Sequence, residues 1–261
     1  MCKKIFEINE EKFPYYRCGD LNNKNLKDMD IIFIRQDPPF DMSYITSTYL
    51  LEYIENEVKI INKPSQIRNS PEKLFLNRWK HLTPKTLISR NVSEILDFRK
   101  KFENIILKPL YGNGGSGIFF IKKDDKNFNS LIELFIKTET DPFIVQEYLP
   151  EITQGDKRII LFGGEPVGAI NRVPSTLDIR ANIHVGGEAV KTSLSKNDLE
   201  ICRTIGPTLK ENDLFFVGID IIGKKLTEIN VTSPTGFKEI QRLTGFDLAK
   251  LLLEKLINKS F

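Results

Sequence analysis

Cysteine is scarce in this 261-residue chain, and the three present (Cys2, Cys18, Cys202) are odd in number and lack CxxC spacing. That argues against a disulfide framework and a zinc site. Histidine is scarcer: His81 and His184 are the only two, too few for a histidine-based metal centre and poor ground for a Ser-His-Asp triad. Gly114-Gly115-Ser116-Gly117-Ile118 fails G-x-S-x-G at its last position. No apolar run approaches the ~20 residues of a membrane span, and the first residues, Met-Cys-Lys-Lys-Ile-Phe-Glu, carry no apolar signal-peptide core. Net charge is nearly absent too. The 38 Lys and Arg against 35 Asp and Glu leave +3, without the concentrated basic charge of nucleic-acid binders. The expectation is a cytoplasmic chain that engages neither membrane nor nucleic acid. At 40% hydrophobic and 28% charged residues, it can bury a substantial core as one large domain or two small ones.

What is there centres on Phe215 to Gly236. Two apolar, β-branched runs flank Gly223-Lys224-Lys225, which reads as a hairpin with a three-residue loop. That loop sets Ile222 opposite Leu226 and, counting outward, Asp220 opposite Glu228. Facing carboxylates repel and weaken a strand pair. Asn230, two residues past Glu228, shares its face. Three oxygen ligands on one face suit a hard divalent cation, which would remove the repulsion; a solvated acidic sheet face is the rival reading. On the first reading, Asp220→Asn abolishes turnover and leaves the fold intact.

Along the chain, residues 1–29 show no strong period. Asp30 to Arg35 reads as a buried strand with Arg35 at its end and Asp37 just past it, before Pro38-Pro39 ends regular structure. Strand ends of open α/β sheets bind ligands, so both are candidate contacts; an ordinary strand-end turn fits equally. Ser43 to Glu57 is helical and Val58 to Asn62 a strand. Ser70-Pro71-Glu72-Lys73 has the form of a helix start, running past Trp79 and stopping near Thr83-Pro84; from its first turn Lys73 could meet a phosphate. Lys85 to Ser89 reads as a strand, Val92 to Phe102 as a helix and Ile105 to Leu110 as a strand carrying Lys108. Gly112, Gly114 and Gly117 satisfy G-x-G-x-x-G, but Ile118 to Ile121 follows as a strand, not a helix. The glycines therefore join an antiparallel pair, a flap whose N–H groups could cover phosphates. A helix around Phe128, Leu131, Ile132 and Phe135 is core. The strand to Gln146-Glu147-Tyr148-Leu149 offers amides beside apolar side chains, which suit an adenine ring. Arg172 ends another strand. The stretch Val173 to Gly187, with Arg180, Asn182 and His184, reads as a lid or a surface loop. The helix begun at Ser195 is interrupted at Gly206-Pro207, and Asp247 to Ile257 is a closing helix. Lysines, a glycine flap, arginines and a carboxylate-amide site suit phosphoryl transfer.

Arg35-Gln36-Asp37-Pro38-Pro39-Phe40-Asp41, Asn62-Lys63-Pro64, Glu72-Lys73-Leu74-Phe75, Leu107-Lys108-Pro109-Leu110, Gly155-Asp156-Lys157-Arg158, Ile205 to Lys210 and Phe216 to Thr235 resemble bacterial glutathione synthetase, an ATP-grasp ligase, in the same order over nearly the whole chain. The resemblance implies an α/β (α+β) chain with the ATP-grasp fold. Residues 1–66 would form a truncated, Rossmann-like substrate lobe and 67–261 the ATP-grasp domain, divided into an ATP-binding part (about 84–151) and a metal and substrate part (about 152–261). A strand-helix-strand unit that opens the family's first lobe is expected to be missing, leaving an edge near Ile31 to Ile34. The resemblance further implies that Lys73 and Lys108 contact ATP phosphates under the flap of Gly114, Gly115, Ser116 and Gly117. Gln146, Glu147, Tyr148 and Leu149 line the adenine pocket, with Asp156 near ribose and phosphate. Asp220, Glu228 and Asn230 hold Mg²⁺ or Mn²⁺. Arg158, Arg172 and Arg180 stabilise charge, and Arg35, Asp37, Asn182, Ser233, Pro234, Thr235 and Gly236 meet γ-glutamylcysteine. Glu188 stands where some members carry a basic residue. ATP, γ-glutamylcysteine and glycine are the implied small-molecule partners, in a homo-oligomer if the first lobe is complete. An inactive ATP-binding remnant and a ligase for another amine are the alternatives.

Overall fold

The computed structural model describes residues 1–9, 13–112, 114–175, 180–181 and 186–258. Asn182 and His184 lie outside them. No helix among the described residues is long and apolar enough to cross a membrane.

The strands β1 (Cys2–Ile8) and β2 (Tyr16–Asn22) form an antiparallel hairpin with nearly every side chain exposed. With neither face buried, alternation has nothing to record, and the pair is invisible in the sequence. β3 (Ile31–Phe33) pairs in parallel with β4 (Lys59–Ile61), and α1 (Met42–Glu52) and α2 (Pro64–Asn69) accompany them around a small core of Ile34, Tyr44 and Ile67. The helix start expected at Ser70 is a correction. Ser70 instead closes α2, and a turn leads into a short 3₁₀ segment at Phe75–Trp79. Tertiary packing wins there: Phe75, Leu76 and Trp79 are buried in the large core, and the backbone follows them.

A four-stranded sheet, in the order β5 (Thr86–Ser89), β8 (Phe143–Glu147), β6 (Ile105–Lys108) and β7 (Phe119–Ile121), is antiparallel throughout. α3 (Val92–Lys101) and α4 (Phe128–Thr138) bury Ile95, Phe128, Ile132 and Phe135 against it. Strands β6 and β7 are the arms of the glycine flap.

The five-stranded antiparallel sheet runs β11 (Glu188–Lys191), β10 (Glu165–Val173), β9 (Asp156–Phe162), β12 (Phe216–Ile222) and β13 (Lys225–Asn230). Both faces are covered, which is why β9 reads as an unbroken apolar run. Ile159 and Leu161 join the core under α5 (Lys196–Glu211), whereas Ile160 and Phe162 join the core under α6 (Phe237–Thr244) and α7 (Leu248–Ile257). The interruption expected at Gly206-Pro207 does not occur, since α5 passes through Pro207. Buried Ile201, Cys202, Ile205 and Leu209 hold the helix on the sheet and offset the lost hydrogen bond. Gly206 serves close packing, because a Cβ there would lie 2.8 Å from the Gly164 oxygen.

The β12–β13 turn also differs from expectation. Ile222 faces Lys225, not Leu226, around a two-residue Gly223-Lys224 turn with Gly223 left-handed (φ 57°). A bulge at Thr227 then restores the count, so Asp220 still faces Glu228 and Gly218 faces Asn230. The Thr227 hydroxyl donates to the Asp220 carbonyl (3.1 Å), bonding across the bulge.

Candidate active site

Sheet register alone gathers the polar side chains. Arg158 faces Asp220 on one side and Ile170 on the other, and Asp156 faces Arg172. Directly opposed residues share a face, so Asp156, Arg158, Arg172, Asp220, Glu228 and Asn230 all project from one side of the sheet. α6 and α7 cover the apolar part of that side and leave these residues at its open end.

The charges there are tightly paired. Arg158 (6% exposed) chelates Asp220 (2% exposed) through Nε and Nη2, and Arg172 reaches the same carboxylate at 3.0 Å while also binding Asp156. Burial would raise the Asp220 carboxyl, but the two arginines outweigh it and hold the group well below the usual range. This corrects the expectation of a carboxylate repelled by its neighbour: Asp220 is bound by two buried cations. Asp156 behaves oppositely. Burial, with Asp220 and Glu228 adding to it, outweighs Arg172 and pushes its carboxyl up to about 7. One Asp156 oxygen (Oδ1) and the Arg172 Nε have no partner.

A side chain overlooked in the sequence completes the cluster. The Glu72 carboxyl is pushed up to about 8, by burial first and then by the Glu228 charge beside it. With its amide oriented to satisfy both neighbours, Asn230 donates to Glu72 Oε2 (2.8 Å) and accepts from Arg158 Nη2 (3.3 Å). Lys73 donates to the Gly112 carbonyl at 2.5 Å and sits 3.3 Å from Glu72 and 4.0 Å from Glu228. Burial opposes its charge, but the two glutamates prevail and raise it. Lys108 is buried and lowered by that burial. A signal for Glu72 existed, since it adjoins Lys73, yet as a first-turn acid it looked like helix capping.

Two clefts meet at this cluster. The first lies between the two large sheets, lined by apolar Ile106, Ile118, Leu149 and Ile152, by Gln146, Glu147 and Tyr148, and by Lys108, Asp156 and the flap residues Gly114, Gly115 and Ser116. Tyr148 packs against Phe120 with the rings tilted by 30° (centroids 4.2 Å), Gln146 Nε2 donates to the Thr86 hydroxyl, and Glu147 Oε1 accepts from the Lys85 N–H. Arg180 also opens onto this cleft and donates to the Gly115 carbonyl (3.1 Å), so it sits on the flap side, apart from Arg158 and Arg172. Gly117 lines neither cleft; its left-handed backbone (φ 69°) turns the flap back over Pro109. The second cleft holds Arg35, Asp37, Arg158, Arg172, Asn230 and the Ser233-Pro234-Thr235-Gly236 turn. Arg35 lies over the Phe216 ring and donates to the Pro234 carbonyl at 2.8 Å. Glu72, Lys73, Gly112, Gly114, Ser116 and Glu228 line both. Asp220 lines neither and lies beneath the arginines.

Residues 72–245 match the family model for the prokaryotic glutathione synthetase ATP-grasp domain, and residues 2–68 match that for the prokaryotic glutathione synthetase N-terminal domain. The chain belongs to the prokaryotic glutathione synthetase family. Among similar members, the glutathione synthetase of Agrobacterium fabrum (strain C58) is 51% identical over 253 residues, spanning 97% of this chain and 79% of that protein. The glutathione synthetase of Mesorhizobium japonicum is 50% identical, spanning 97% and 81%. In shape the chain is similar to D-cycloserine synthetase DcsG (TM-score 0.71, 11% identity, covering 91% of this chain and 87% of that one). It is also similar to a D-alanine–D-alanine ligase from Bacillus anthracis solved with ATP (TM-score 0.62, 13% identity, covering 89% and 80%). The family and these likenesses identify the fold as ATP-grasp, with the first cleft between its two sheets.

Proposed function

We propose that this synthetase joins γ-glutamylcysteine to glycine at the expense of ATP, with the nucleotide in the first cleft and the dipeptide in the second. The observation that carries the arrangement is the junction: an apolar slot and an arginine-lined cleft open onto the same glutamates, lysine and flap. A γ-phosphate from one side would meet a carboxylate from the other. Ile106, Ile118 and Leu149 pack the adenine, Glu147 and the Tyr148–Leu149 backbone meet its polar edge, and Lys73 and Lys108 take the phosphates. Arg35 and the Ser233–Gly236 turn hold the dipeptide. Arg158 and Arg172 neutralise the oxygens as the phosphoryl group passes to the cysteinyl carboxylate, forming an acyl phosphate and ADP. The amine of glycine then attacks the acyl carbon, loses a proton to solvent and displaces phosphate.

A divalent cation fits the junction by donor chemistry. The oxygens are hard, and Glu72 crowds Glu228 with Lys73 as the cation nearest to both. Glu228 and Asn230 would hold Mg²⁺ or Mn²⁺. Asp220 would join them by giving up an arginine partner, because among the described residues no three acidic, histidine or cysteine side chains converge as they stand. Bound there, such an ion supplies charge neutralisation at the phosphates. The test is phosphate release that requires ATP, γ-glutamylcysteine and glycine together. Turnover that ignores either acceptor sinks the reading.

A further inference from the structure

Asn62 follows directly on β4, lines neither of the two clefts and is 3% exposed. Its side chain is fully engaged. Nδ2 donates to the Phe216 carbonyl (2.7 Å) and the Val231 carbonyl (2.8 Å), and Oδ1 accepts from the Phe216 N–H (2.7 Å). An amide has two donor hydrogens and an accepting oxygen, so both hydrogens are spent and Phe216 is bonded through both of its main-chain groups. The β12–β13 ladder ends at the Gly218–Asn230 pair. Beyond it the strands separate, and the Asn62 amide fills the gap as a peptide unit of a third strand would.

What hangs from that clamp is the second cleft. Val231 follows Asn230 and leads into the Ser233–Gly236 turn. Phe216 supports Arg35 on its ring, and Arg35 closes the circuit on the Pro234 carbonyl. The segment leading from β3 to Arg35 is tied to the residue before Asn62, since the Ile34 N–H donates to the Ile61 carbonyl (2.9 Å). One buried amide thus joins the first lobe to the root of the loop whose tip Arg35 holds.

We infer that Asn62 is a positioning residue for the acid substrate: its three hydrogen bonds fix the distance between Asn230 and the Arg35-bound turn, and leave the nucleotide cleft untouched. This rests on the proposed ligase reading, and the wild-type requirement for both acceptors tests that reading separately. Asn62→Asp keeps the side chain's size, removes both donors and sets oxygen against the Phe216 and Val231 carbonyls. Leaving polar groups unmatched there shifts the loop, and small displacements of bound groups cost on the order of tenfold to a hundredfold in rate. The experiment measures kcat, KM for γ-glutamylcysteine and KM for ATP in the full chain. The expected result is a rise in KM for γ-glutamylcysteine of about tenfold or more with KM for ATP within about twofold. KM values do not depend on the fraction of active protein, so partial unfolding cannot imitate the split. In the double variant with Arg35→Ala, the two losses should fall short of multiplying, because both act on one loop. Equal rises in both KM values, full multiplication, or an unchanged γ-glutamylcysteine KM would overturn the assignment. Failure of both Asn62→Asp and Asn62→Ala to fold would overturn it too, making the residue one of the fold alone.

Discussion

Replacing Glu72 with glutamine removes the acid that burial and Glu228 push from 4.5 to about 8. A carboxyl raised on folding contributes stability that is whole below its unfolded pKa and lost as pH rises through its folded one. Between about pH 6 and pH 8 the unfolded chain is already ionised while the folded chain still holds the proton. Stability then falls by about 1.4 kcal/mol per pH unit, or roughly 3 kcal/mol over the interval. Because 26% of the side chain stays accessible, solvent screening brings the expected fall nearer ~2 kcal/mol. Asp156, also raised, adds in the same direction. Asp220 is lowered, so its contribution is lost only at acid pH and is constant across this range. Denaturant unfolding of nucleotide-free, metal-free protein at the two pH values reads the difference. The wild type should lose stability on going alkaline, and Glu72→Gln should lose ~2 kcal/mol less. Parallel falls in the two proteins would refute the crowding of Glu72 against Glu228.

Two further outcomes are expected. Asp220→Asn removes the shared partner of two buried arginines and should destabilise the nucleotide-free protein by about 3–5 kcal/mol, since breaking a buried pair strands the remaining charge; a loss below about 1 kcal/mol in urea unfolding contradicts the pairing. Gly117→Ala places a Cβ 2.9 Å from the Pro109 Cγ at a left-handed backbone (φ 69°), at a cost of about 1–2 kcal/mol. It should raise KM for ATP more than the same change at Gly114, where nothing lies within 4 Å, and equal effects would tell against a flap folded over Pro109.

Much of the site was legible because sheet physics is local. The runs Ile159–Phe162 and Phe216–Ile222 could only be strands, and once β12 and β13 were paired, Asp220 had to face Glu228. The turn is one residue shorter than its glycine suggests, yet the bulge at Thr227 absorbs the extra residue and preserves that pair. The chemistry of Asp220 was not legible. Its partners Arg158 and Arg172 arrive on strands 62 and 48 positions upstream, and only the order β10-β9-β12 brings them alongside. Glu72 sits in a Ser-Pro-Glu sequence that is a strong local helix-start signal, overridden here by the burial of Phe75, Leu76 and Trp79. The β1–β2 hairpin left no trace because neither of its faces is covered.

The tethers on the glycine flap carry a kinetic consequence. Lys73 grips the Gly112 carbonyl and Arg180 grips that of Gly115, so two cations that an incoming polyphosphate would attract are already spoken for by the backbone. On the proposed reading, nucleotide capture at this slot would be a substitution, one anion displacing two carbonyls, rather than the filling of a waiting hole. Departure of ADP would run the same exchange backwards, and how quickly the carbonyls reclaim their cations would become part of the rate at which the enzyme can begin again.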